Sequence, residues 1–164
     1  MNATLLAGIS GLDVLSKYAN ASAYDYLIDF GDASIPAGES LSGTVQIYND
    51  ADFLIREIKP SARLVSASSS SIAGTPLAFE ADPNNDENEL PTMELIRFEF
   101  KDNDQRWSDK PVPGTRYGRD GWLAHTPVIS RNNEIECVCY NDSAVAVRAR
   151  VVLAGAKLFG RRGG

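Results

Sequence analysis

Three features of the amino-acid sequence predict an all-β fold built from packed antiparallel sheets. Apolar residues recur at every second position in 40–48, 93–100, 134–140 and 144–153, the period of strands with one face buried. Clusters of Gly, Pro, Asn, Asp and Ser separate those segments at short intervals, as turns between strands require. Helical spacing is confined to one stretch near the N-terminus. With 164 residues, 43% of them hydrophobic, the chain is long enough for one buried core. About eight short strands predict a β-sandwich of jelly-roll type.

Residues 1–23 show no strand alternation, whereas Leu12, Leu15 and Ala19 follow Gly11 at spacings of three and four, predicting a short helix over 12–20. The segment is an N-terminal arm that either covers one end of the domain or reaches onto a neighbouring subunit. The sandwich domain is expected over 24–159, with 160–164 as a flexible tail, and its first strand at 24–30. In 40–48, Leu41, Val45 and Ile47 share one face while Ser40, Ser42, Thr44 and Gln46 share the other, so this strand has one wet face. Residues 53–59 are expected to be its partner across the turn at 49–52, ending at Pro60, with a further short strand near 62–66. Residues 66–91 are rich in Ser, Ala, Asn, Asp and Pro and form a long loop. Strand 93–100 directs Ile96, Phe98 and Phe100 inward and Arg97 and Glu99 outward.

Residues 106–127 carry three prolines, three glycines and two tryptophans, so most of this stretch cannot be a central strand and is expected to be a loop pinned by its aromatic rings. Ile135, Cys137 and Cys139 then alternate with Glu134, Glu136 and Tyr140. Val145, Val147, Ala149, Val151 and Leu153 alternate with Ala146, Arg148 and Arg150. Around Asn141-Asp142-Ser143 these two runs read as an antiparallel hairpin. Arg148 and Arg150 are then expected to pair with Glu134 and Glu136, for about 0 to 1 kcal/mol each.

The formal charge of -6, from 22 acidic and 16 basic residues, predicts repulsion of nucleic acid and anionic lipid. No run reaches the roughly 18 apolar residues of a membrane-spanning helix, and the first residues lack the pattern of a secretory signal. The two cysteines, Cys137 and Cys139, point the same way from one strand and are expected as free buried thiols, in keeping with a reducing compartment. The Asn-X-Ser/Thr triplets at Asn2, Asn20 and Asn141 are read as chance.

Little catalytic chemistry is legible. The single histidine, His125, is the only imidazole base for nucleophilic catalysis, and there is no Gly-X-Ser-X-Gly elbow. A zinc site would need carboxylates beside His125 and the two cysteines. The acidic stretch 82–89 places oxygen side chains at the first, third and fifth positions of a calcium loop. It fails at the sixth, Glu87, and the twelfth, Met93. Candidate carboxylates for sugar hydrolysis, Asp109, Asp120, Glu134 and Glu136, form no selected pair. Trp107, Tyr117 and Trp122 could offer a sugar platform, but closing the end of the sandwich is the favoured role. With Arg106, Arg116 and Arg119 they also have the composition of a protein interface.

A resemblance is carried by Gly38-X-Ser-Leu-X-Gly-Thr-Val45, Asp52-Phe-Leu-Ile-Arg-Glu-Ile58, Arg106-Trp-Ser-Asp-Lys-Pro-Val-Pro113, Gly121-Trp-Leu123, Pro127-Val-Ile-X-Arg-Asn-Asn133 and Val151-Val-Leu-X-Gly-X-Lys157. In that order, over residues 24 to 159, the chain resembles small jelly-roll structural proteins of tailed bacteriophage virions. The resemblance implies a non-enzymatic virion component, made in the host cytoplasm. It would form a symmetric homo-oligomer, a trimer by preference, that decorates or cements the capsid against the major capsid protein. The alternative within the class is a neck, collar or tail-associated ring beside portal-associated proteins; outside it, a carbohydrate-binding module. No cofactor, metal, nucleic acid, membrane or small-molecule ligand is expected. The expected subunit interface comprises Leu5, Leu6, Ile9, Leu12, Leu15, Arg106, Trp107, Tyr117, Trp122, Arg161 and Arg162.

Overall fold

The computed structural model describes residues 14–31, 33–65, 73–78, 91–103, 105–117 and 127–161. Strands β1 (Tyr18–Asp29), β2 (Ser40–Gln46), β3 (Asp52–Leu64), β4 (Ile96–Asp102), β5 (Gln105–Arg106), β6 (Val112–Pro113), β7 (Val128–Ile129), β8 (Glu134–Asn141) and β9 (Val147–Arg161) follow in chain order. They form two antiparallel sheets. The first has the order β1-β9-β3-β7; the second has the order β2-β8-β4-β5, with β6 also on β4. Apart from the run β4 to β6, each step along the chain crosses from one sheet to the other, which is the wrapping of a jelly roll. The all-β sandwich is therefore as predicted, with a helical turn at 14–16 before it.

This wrapping overturns two expected pairings. Segments 134–140 and 144–153 do not form a hairpin: β8 lies between β2 and β4, and β9 lies between β1 and β3 in the other sheet. Likewise β2 pairs with β8 and not with β3. Alternation records which face of a strand is buried and says nothing of its neighbour. The expected ion pairs fall with the hairpin. Glu136 pairs instead with Lys101 at 2.7 Å, and Arg150 reaches Asp29 at 3.9 Å.

The boundaries also move. Residues 18–20 are strand and not helix, and β1 pairs with β9 from Tyr18↔Arg161 to Asp29↔Arg150. The strand thus begins six residues inside the expected arm, and β9 continues through Gly160 into the expected tail. Pro60 does not end β3, which runs to Leu64. β7 pairs only with Phe53 and Leu54, so Pro60 lies where one edge of β3 has no ladder to disrupt.

The core between the sheets gathers Ile28, Phe53, Ile55, Phe98, Phe100, Ile135, Cys137, Cys139, Val151 and Leu153, all buried. Each side chain of this size contributes about 1.5–3 kcal/mol by burial. The expected faces of β2 and β4 hold, with one exception: Glu99 is covered, at 7% exposure. Both thiols are free and buried. Burial raises the pKa of Cys137, and that of Cys139 to about 12.

A second, smaller cluster of Tyr18, Leu54, Ala156 and Leu158 sits on the opposite face of the first sheet. In β9, Val151 and Leu153 face the main core, so Ala156 and Leu158, of the other parity, face outward. Val14 and Leu15 fold back over them. β3 carries a bulge between Ile55 and Glu57 where it meets this end of β9. There Gly155 is required, because a Cβ would lie 1.9 Å from the Leu54 carbonyl oxygen.

Candidate interaction surface

The outer face of the second sheet is built from alternate residues of β4 and β8 with the end of β5. Arg97 on β4 makes a two-point ion pair with Asp142: Nη2 to Oδ1 is 3.0 Å, and Nε bonds Oδ2. Its guanidinium also lies 5.5 Å from the Tyr140 ring centre. The Tyr140 hydroxyl donates to Glu99 Oε2 at 3.3 Å, and Arg106 Nε bonds Glu99 Oε1 at 2.9 Å. The hydrogen bond from Arg97 holds the Asp142 carboxyl below its ordinary pKa and raises that of Arg97. Burial, then the charge and hydrogen bond of Glu99, raise that of Tyr140. A shallow groove lined by Gly38, Glu39, Ser40, Tyr140 and Asp142 borders the network. Its acidic and basic groups pair with one another, so the face is polar with its charges largely compensated.

At one end of the core, Lys157 is held at 7% exposure. Its ammonium lies 4.2 Å from the Tyr24 ring centre and 4.8 Å from that of Tyr48, and Nζ bonds Asp50 Oδ2 at 2.8 Å. Desolvation opposes the charge, but the Asp50 hydrogen bond and the surrounding charges outweigh it and raise the pKa. Lys157 therefore stays protonated at neutral pH and caps the cluster of tilted and edge-on rings formed by Tyr24, Tyr26, Tyr48 and Phe53 instead of serving as a nucleophile.

A third region is the corner where the described chain begins and ends. Tyr18 opens β1 opposite Arg161 at the end of β9. The Tyr18 hydroxyl donates to Asp52 Oδ2 at 2.8 Å, and Asp52 Oδ1 accepts the Arg131 backbone N–H at 3.0 Å. The carboxylate thus ties β1, β3 and the segment after β7 together. From this corner the exposed stretch Ala19–Ala23 runs along the outer edge of the first sheet.

Among the described residues, those expected at a subunit interface lie in separate parts of the sandwich. Leu15 is partly buried and packs against its own chain's second cluster. Arg161 is exposed at the same corner. Arg106 and Trp107 lie by the other sheet, where Trp107 stacks on Phe100 with ring centres 5.2 Å apart and planes 15° from parallel. Tyr117 is buried at 6% exposure, edge-on to Phe98 and Phe100. It is a core residue and not an interface residue, so Trp107 and Tyr117 close the sandwich and present no joint platform. Leu5, Leu6, Ile9, Leu12, Trp122, Arg162, His125 and the acidic stretch 82–89 lie outside the described residues. Among the described residues no three His, Cys, Asp or Glu side chains converge on a metal position, and no helix is long and apolar enough to cross a membrane.

Sequence reasoning missed Asn141, Lys157 and Glu99 as organising polar residues. Lys157 left one signal, a lone cation in the apolar run 151–159. Comparison with family models, curated proteins and solved structures finds no match to this chain.

Proposed function

We propose that the chain is a non-enzymatic structural subunit of a tailed-bacteriophage virion, made in the host cytoplasm. In this reading it assembles as a symmetric homo-oligomer that decorates or cements the capsid on the major capsid protein. The observation that carries the reading is the corner at Tyr18 and Arg161. Tyr18 and Arg161 are partners, so the first strand begins and the last strand ends at one corner of the sandwich. Such a unit can present this corner to one neighbour while the rest of its surface meets others, and many weak contacts of this kind add up across a lattice.

The resemblance supports the same reading, because its motif residues are structural. Phe53, Leu54, Ile55, Ile58, Ile129, Val151 and Leu153 are buried, Val112 and Pro113 cover an edge of β4, and Gly155 admits the β3 backbone. Jelly rolls also serve in viral shells, a point of analogy only, since folds host many functions. A ring at the neck or tail is the second form within the class.

Mass spectrometry of purified particles tests the reading by copy number. On the order of hundreds of copies supports a cement protein, and about a dozen supports a ring. Absence from particles overturns both.

A further inference from the structure

The outer face of the first sheet changes character along β9. Its Arg161 end carries the small apolar cluster, and its Val147 end carries cations. Val147 and Ala149 are buried, so Arg148 and Arg150 face outward. Ala62 and Leu64 of β3 are buried likewise, which turns Ser61 and Arg63 to the same face. Arg63 is the direct partner of Arg148, and Ser61 that of Arg150. Leu64 donates to Thr75 and Ala62 accepts from Leu77 on the far side of β3. Arg63 therefore turns its peptide groups to β9 and makes a hydrogen-bonded pair with Arg148, their Cα atoms about 5.5 Å apart. Like charges directly opposite on one face are destabilising. Among the described residues Arg148 has no ion pair, Arg63 bonds only the Gly74 carbonyl at 3.4 Å, and Arg150 meets Asp29 at 3.9 Å.

We infer that Arg63, Arg148 and Arg150 form a docking surface for an acidic segment of a partner protein, lying extended along β9. Arg148 and Arg150 are two residues apart on one strand, so their side chains emerge about 7 Å apart. Carboxylates at alternate positions of an extended segment, Asp/Glu-X-Asp/Glu, repeat at the same spacing. One carboxylate fits between the Arg63 and Arg148 guanidinium groups, held by charge-assisted hydrogen bonds, and the next reaches Arg150. The bound carboxylate supplies the counter-charge that the free chain lacks at this pair. Nucleic acid fits the face less well. The neighbouring outward residues on the same strands, Leu27, Lys59, Ser61 and Val152, offer no ring on which a base could stack, and the net charge of -6 repels a long polyanion.

Such a surface has a signature that a merely solvated face lacks. Arg148→Glu gives Arg63 an opposite charge across the ladder, so it removes the docking site and at the same time relieves the free protein of a repulsion. Loss of binding is then accompanied by a gain in stability. The surface lies at the far end of β9 from the Tyr18–Arg161 corner, and it is a property of the isolated chain that does not rest on the virion reading, which is tested on particles.

The experiment titrates the full chain with three labelled probes: a peptide of alternating Glu and Ser, the same peptide with Gln in place of Glu, and oligothymidylate of the same charge. Fluorescence anisotropy is expected to show binding of the Glu peptide alone, weakening as salt is added. Arg63→Gln and Arg148→Gln should each weaken it about tenfold. Arg131→Gln, an exposed arginine at the other end of the sandwich, should leave it unchanged. Arg148→Glu should abolish binding and raise the melting temperature by about 2–4 °C. A wild-type chain that ignores the Glu peptide overturns the inference. So does oligothymidylate that binds as tightly as the Glu peptide, an Arg131→Gln variant as impaired as Arg148→Gln, or an Arg148→Glu variant that melts below wild type.

Discussion

Replacement of Asn141 tests the connection between the two sheets. Its side chain is fully buried where β8 hands the chain over to β9. The Nδ2 amide donates to the carbonyls of Ile35 at 2.9 Å, Pro36 at 3.1 Å and Val145 at 2.7 Å. Oδ1 accepts from the Ser143 backbone N–H at 3.0 Å and from its hydroxyl at 2.6 Å. In Asn141→Ala most partners keep another bond: Ile35 O still accepts the Val147 N–H, Pro36 O that of Glu39, and Val145 O the Ser143 hydroxyl. The Ser143 N–H loses its acceptor. Two net hydrogen bonds at about 1 kcal/mol each, and one orphaned buried donor at about 1–3 kcal/mol, give a cost of roughly 3–5 kcal/mol. For a chain of this size that lowers the melting temperature by about 10 °C.

Asn141→Asp is expected to be worse than Asn141→Ala at pH 7, because it aims a carboxylate oxygen at three carbonyls. Protonation would restore a donor, so the folded pKa of this carboxyl is raised above its unfolded value near 3.9. A raised folded pKa means that stability is fully recovered below the unfolded value and is lost as pH rises through the folded one. The gap between Asn141→Asp and wild type should therefore narrow from pH 7 to pH 4, while that of Asn141→Ala stays flat. Urea titrations at both pH values measure it. An alanine variant within about 1 kcal/mol of wild type, or an aspartate variant as stable as alanine at pH 7, would refute the reasoning.

Gly155→Ala should cost at least about 3 kcal/mol, since its Cβ meets the Leu54 carbonyl in a backbone ladder that cannot shift; Gly160→Ala, at a φ of +61°, should cost only about 1 kcal/mol in the same denaturant titration. Lys157→Met is expected to lose about 1–2 kcal/mol of cation–π and ion-pair stabilisation. Because the Lys157 pKa is raised and that of its partner Asp50 lowered, the contribution is fully present between the unfolded carboxyl value near 3.9 and the unfolded lysine value near 10.4 and is lost beyond either end, so the wild-type advantage over Lys157→Met should be flat from about pH 5 to about pH 10 and shrink outside that window; an advantage that changes between about pH 5 and pH 9 contradicts the assignment. Cys137 and Cys139, buried with raised pKa values, should leave a disulfide reagent unreacted at pH 8 in the native protein and both react after unfolding; rapid native labelling would show that the core opens.

The strands themselves were legible because alternation reports burial directly. In β4 and β8, Ile96, Phe98, Phe100, Ile135, Cys137 and Cys139 all face the core as predicted. Pairing was not legible, because the same alternation fits any neighbour. Asn141-Asp142-Ser143 reads as a hairpin turn, yet Asn141 uses its amide to fasten the carbonyls of Ile35, Pro36 and Val145 as the chain changes sheets. The start of β1 was misread for a different reason. Tyr18-Ala-Asn-Ala-Ser-Ala23 lacks the β-branched residues of a strand, and it is extended because β9 offers it a partner over its whole length; tertiary pairing overrides propensity here.

The interaction surface was the least legible feature, since it depends on which groups are left over after the chain has paired with itself. Aromatic and arginine content pointed to Arg106, Trp107 and Tyr117, but Tyr117 and Trp107 are absorbed by Phe98 and Phe100, and Arg106 by Glu99. A partner docking on the outer face of the second sheet would have to desolvate or break the pairs Arg97–Asp142, Arg106–Glu99 and Lys101–Glu136, and the cost of removing such groups from water rivals what new contacts return.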